Sequence, residues 1–153
     1  VGKEVKVTLS RRMLWLTAIG CFGISVLHLV LCVAGVEVNR FFGASKEILQ
    51  MVVDHDPVFY FMALGIAVLF AGFGLYALSG AGMVRRLPLR KSVLIFLGVV
   101  LILRGIAVFV ELRKIIGDPG SVPWQFPFMS AVALVMGTMS LCGVVGLMRE
   151  QPK

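Results

Sequence analysis

"SVLIFLGVVLILRGIAVFVEL", residues 92–112, decides the fold. It is a continuous apolar run interrupted by one arginine, Arg104, with a single acid, Glu111, at its far end. A bilayer core about 30 Å thick takes about 20 apolar residues of helix. Runs 13–35, 58–80 and 126–148 match it in length and character. Each carries glycine or other small residues but no proline beyond its first turn. With 59% of its 153 residues hydrophobic, the chain lies outside the range of soluble domains, about 45–50%. The expected fold is therefore all-α: a single polytopic domain over 1–153, with four transmembrane helices in a bundle.

The loops set the threading. Lys3, Lys6, Arg11, Arg12, Arg85, Arg86, Arg90, Lys91, Arg149 and Lys153 fall on one side, against Arg40, Lys46, Arg113 and Lys114 on the other. The positive-inside rule then places both termini in the cytoplasm. The net charge of +7 comes from short clusters at the ends of apolar runs, so nucleic acid is not an expected partner. Trp15 and Trp124 fall near opposite interfaces, where indoles collect.

In the first outer loop, Ser45 is placed to cap a short interfacial helix within "FFGASKEILQMVV", residues 41–53. Asp56 and Pro57 form an N-cap and first-turn proline for the second span, and Pro127 starts the fourth. The second outer loop, "GDPGSVPWQFP" at 117–127, is rich in turn formers and expected to be irregular. "TAIGC", residues 17–21, echoes a lipoprotein cleavage box, but the apolar run continues to Gly35, so an uncleaved span is expected.

Lipid tails are as apolar as leucine, so helices in a membrane associate by close backbone packing at small residues. Gly20 and Gly23, Gly65, Gly72 and Gly74, Gly98 and Gly105, then Ala133, Gly137, Gly143 and Gly146 supply such faces on every span.

An arginine within a span calls for a partner. Arg104 lies eight residues before the end of its apolar run and His28 seven before the end of the first, so their depths match at about 12 and 10 Å. Cys21, Ser25, His28 and Cys32 form one stripe on the first helix, and Arg104 and Glu111 share a face of the third. The candidate ligand-binding set is Arg104, His28, Tyr60, Glu111, Ser130 and Asp54. Three roles compete for Arg104: an arginine snorkelling to the headgroups, an internal ion pair with Glu111, Glu37 or Asp54, and a contact with an anionic ligand.

The cysteines have no C-x-x-C spacing, and positions 21 and 28 are two turns apart, so neither a metal nor a cofactor is expected. No Gly-rich phosphate loop, Ser-His-Asp order or H-E-x-x-H motif occurs, which leaves soluble-type enzyme chemistry without a foothold. An intramembrane enzyme with His28 as base and Cys32 as nucleophile is the weakest of the readings, since a thiol buried in lipid resists ionisation.

"LHLVLCVAG" with "RFFGA" (27–44), "ALGIAVLFAGFGLYALSGAG" with "RRLP" (63–88) and "LILRGIAVF" (101–109) resemble uncharacterised small four-helix inner-membrane proteins of Gram-negative bacteria, and more loosely the DoxX-like group. The resemblance implies a multi-pass bacterial inner-membrane bundle and supplies no activity. The expected function is a non-enzymatic accessory or scaffold subunit with an outer-leaflet polar pocket for a lipid headgroup or small amphiphile. Its partners would be membrane lipid and a larger membrane protein or a second copy. The alternative is a small transporter or channel subunit.

Overall fold

The computed structural model describes residues 2–119 and 122–149, with side chains over 8–119 and 122–148. Lys3, Lys6, Arg149 and Lys153, four of the cations that set the threading, lie outside the described side chains. Six helices follow one another: α1 (Gly2–Val33), α2 (Val36–Phe41), α3 (Lys46–Val53), α4 (Pro57–Ala81), α5 (Arg90–Gly117) and α6 (Gln125–Arg149). The four long ones, α1, α4, α5 and α6, are long and apolar enough to cross a membrane. The chain is a multi-pass membrane protein folded as a helical bundle. Its surface fits that solvent, with Phe61, Leu103, Phe109 and Val68 among many large apolar side chains facing outward.

Two spans are longer than their apolar runs. α1 begins at Gly2, ahead of residue 13, and α5 continues past Leu112 to Gly117. Lys and Arg are good helix formers, and nothing breaks α5 before Gly117, Asp118 and Pro119. Arg104 consequently lies near the middle of α5.

The helices pack in the order α4, α1, α6, α5, with a lighter contact closing α5 back onto α4. Gly20 meets Met136, Gly143 meets Leu14 and Gly146 meets Ser10, so α1 and α6 run antiparallel. The tightest seam joins α5 to α6. A Cβ on Gly105 would lie 2.6 Å from the backbone of Leu134, and one on Gly137 would lie 2.9 Å from the Gly98 carbonyl oxygen. Only hydrogen fits in those places. Gly74 receives the Phe22 ring, and Gly80 receives Leu14 and Leu94. Gly23, Gly65 and Gly72 depart from the expected packing role, since open space surrounds the position where each Cβ would stand.

Hydrogen bonds between spans add specificity. The Ser25 hydroxyl donates to the Ala67 carbonyl across α1 and α4 (2.8 Å), and Ser140 donates to the Leu94 carbonyl across α6 and α5 (2.9 Å). Bonds of this kind average about 0.6 kcal/mol in a membrane protein. At the end of the bundle where α4 turns into α5, Gly82 takes the left-handed conformation that ends the helix (φ 81°). There the Ser79 hydroxyl donates to the Arg85 carbonyl (3.0 Å) and accepts from the Leu87 N–H (2.9 Å), which fixes the turn.

The opposite end carries α2 and α3. Ser45 caps α3 as expected, accepting from the Ile48 N–H, and Asp56 caps α4 ahead of Pro57. α2 is an addition to the single short helix expected there. It forms because Asn39, buried, donates through its amide to the carbonyls of Leu31, Ala34 and Gly35 and so closes the end of α1.

Candidate functional site

Arg104 is held on α5 with Gly105 packed tightly against α6 beside it, an arrangement that brings the guanidinium to the start of α6. There it donates to the Ser130 hydroxyl at 2.6 Å, and Ser130 is fully buried. The carboxylate of Glu111, two turns further along α5, lies 3.8 Å from the same nitrogen, beyond hydrogen-bond length. The Glu111 side chain is 16% exposed, and its second oxygen, Oε2, is buried without a hydrogen-bond partner among the described residues. A guanidinium carries five N–H donors. One is taken by Ser130, leaving others beyond the loose Glu111 contact. Arg104 is therefore neither a bare snorkelling anchor nor a saturated ion pair.

His28 faces it across a cavity of about 450 Å³ whose wall includes both side chains. The cysteine and serine stripe of α1 turns inward as expected, with Cys21 and Ser25 buried and His28 half-buried. Since a carbonyl can only accept, the 2.9 Å contact from His28 Nδ1 to the Ile24 oxygen puts a proton on Nδ1. In the neutral ring that leaves Nε2 as an acceptor.

Apart from Gln125, the rest of the cavity wall is apolar. It follows α6 from Gln125 to Met136, about 17 Å of helix at 1.5 Å per residue. Leu101 and Met136, both buried, form its inner part. Aromatic rings from the α1–α4 connection and from around the start of α6 gather at the end of the cavity nearest α2. Phe41 meets Phe42 edge-on at 5.2 Å and Trp124 at 6.4 Å, and Trp124 meets Phe128 at 6.3 Å. The Gln125 amide donates to the Phe41 carbonyl (3.1 Å), and Gly43, at φ 86°, lies where a Cβ would strike the Phe126 ring. The α1–α4 and α5–α6 connections are thereby joined into one collar.

Of the six candidates, the structure gathers Arg104, Ser130 and Glu111, and it places His28 with Arg104 in the wall of the cavity. It does not bring Tyr60 or Asp54 to them. The Tyr60 hydroxyl lies 3.3 Å from His55 Nδ1, and Asp54 accepts from Gln50 at 3.0 Å on an exposed surface. Glu37, another partner considered for Arg104, pairs with Arg40 at 2.8 Å. Sequence reasoning missed the aromatic collar and Gln125. The signal was present in "RFFGA" and "PWQFPF", where aromatic residues crowd two short connections on the same side.

Among the described residues, no group of three or more His, Cys, Asp or Glu side chains has the proximity to hold a metal ion. Comparison with protein-family models, curated proteins and solved structures finds no match to this chain.

Proposed function

We propose that this chain is a non-enzymatic integral membrane protein whose outer cavity receives an anionic amphiphile, with the headgroup on Arg104 and the apolar tail along α6. The observation that carries the proposal is a half-exposed guanidinium with unused donors in the wall of an otherwise apolar and aromatic cavity. Arginine's planar fork suits a carboxylate or phosphate, and the low dielectric of the surroundings strengthens that contact. His28 Nε2, an acceptor, suits a hydroxyl or ammonium donor on the same headgroup, not its anionic oxygens. A cavity of mostly apolar lining with a few placed polar groups is the usual form of a small-molecule site.

Passage through the bundle, the transporter alternative, is the weaker reading because the other half is filled. Leu14, Leu94, Leu97 and Val144 are at most 1% exposed there. The role is that of an accessory or scaffold subunit in a bacterial inner membrane, with both termini cytoplasmic. The basic side, the DoxX-like layout and the absence of an enzyme motif support this part.

Native mass spectrometry of the protein released from mild detergent tests the proposal. The expected result is a retained adduct of lipid mass that is lost in Arg104→Gln and kept in Tyr60→Phe, with helicity unchanged in both. Bare protein, or the same adduct in Arg104→Gln, would overturn it.

A further inference from the structure

The two ends of the bundle differ sharply in charge. At the end formed by the start of α1, the 82–89 turn and the close of α6, the described side chains include Arg11, Arg12, Arg85, Arg86, Arg90 and Lys91 and no carboxylate. At the other end, Glu37, Glu47, Asp54, Asp56 and Asp118 offset Arg40, Lys46, Arg113 and Lys114. A second cavity, about 330 Å³, opens at the basic end between α1 and the close of α4. Arg11, Arg12, Thr8 and Trp15 line it from α1, facing Ala81 and Met83. Arg12 is exposed and has no hydrogen-bond or ion-pair partner among the described residues. Trp15, one turn deeper on α1, is 42% exposed, and Met83 is 61% exposed.

We infer that this cavity is a binding site for the phosphodiester headgroup of an anionic phospholipid from the leaflet around the basic end. The phosphate meets Arg12 beside Arg11, the Thr8 hydroxyl stands within the same wall, and the Trp15 ring lies at the level of the glycerol and first chain carbons. That vertical order, cation above indole above apolar surface, matches the membrane interface from headgroup to acyl chain. A concave wall separates such a site from a diffuse basic surface. Arg85 and Arg86, exposed on the neighbouring turn, add to the general potential but do not line the cavity. The inference does not depend on the Arg104 cavity, which lies at the other end.

The test uses the full chain in vesicles, in a Trp124→Phe background that leaves Trp15 as the sole indole. Quenching of Trp15 is measured with chain-brominated phosphatidylglycerol and with chain-brominated phosphatidylcholine at equal mole fraction. The expected result is a preference of about fivefold for the anionic lipid, the order of effect of one basic residue at a membrane surface. Arg12→Gln should abolish the preference, while Arg86→Gln should leave most of it. Equal quenching by both lipids, equal loss in the two variants, or a preference unchanged in Arg12→Gln would overturn the site. Replacing chloride by inorganic phosphate at constant ionic strength should leave the preference in place, and its abolition would assign the site to a free anion and overturn the lipid assignment.

Discussion

The two halves of this bundle are built from similar residues and solve different problems. In the half nearest the α4–α5 turn, glycines let backbones touch, and Leu14 reaches into the space at both Gly80 and Gly143. In the other half the spans hold a cavity of about 450 Å³ and carry Arg104, Glu111 and His28. The contrast shows where packing ends and a site begins. The α5–α6 seam runs through both, closing on Gly98 and Gly137 in one half and on Gly105 beside Arg104 in the other.

The largest expected effect tests the closed half. Gly137→Leu drives a side chain into the Gly98 carbonyl and should lower unfolding stability in detergent by about 3 kcal/mol, the upper end of ordinary overpacking. The matched change Gly72→Leu enters open space and should stay within about 0.5 kcal/mol of wild type. Equal losses at both sites would remove the distinction between the two kinds of glycine.

The open half comes next. Arg104→Leu removes a hydrogen bond to a charged group, an interaction on the order of 2 kcal/mol, and leaves Glu111 without its cation. Adding Glu111→Gln should recover part of that loss, which a double-mutant cycle reads directly. Full additivity of the two changes would show that Glu111 is indifferent to Arg104.

Smaller effects follow. Ser140→Ala and Ser25→Ala each remove one hydroxyl bond between spans, and each should cost about 0.6 kcal/mol in the same unfolding measurement. The smallest concerns α3, outside the spans. Hydrogen bonding to Ser45, then to the Glu47 backbone, holds the Glu47 carboxyl below the usual glutamate range. A depressed folded value stabilises the helix start above the unfolded value, and that contribution disappears as pH falls through the folded one. Ser45→Ala should move the Glu47 titration upward when followed by carboxyl NMR.

The four spans were legible in the sequence because length and apolarity alone define them, and the Ser45 and Asp56 caps were legible because capping is local. Depth along a helix could also be read, and it matched Arg104 to His28. Rotation about each axis could not. Tyr60 stands at the start of α4, yet it turns toward His55, whereas Ser130 at the start of α6 turns toward Arg104. The Cys21, Ser25, His28 and Cys32 stripe was readable because all four positions share one helix. α2 was not readable, since its formation rests on Asn39 reaching three carbonyls at the end of α1.

Ser130, Trp124, Gln125 and Phe126 are made after the groups they meet, Arg104, Phe41 and Gly43. During biosynthesis, therefore, three spans must wait in the bilayer with the Arg104 charge unaccompanied by its serine. A nascent chain stalled before residue 125 would be the species most dependent on the insertion machinery for shelter.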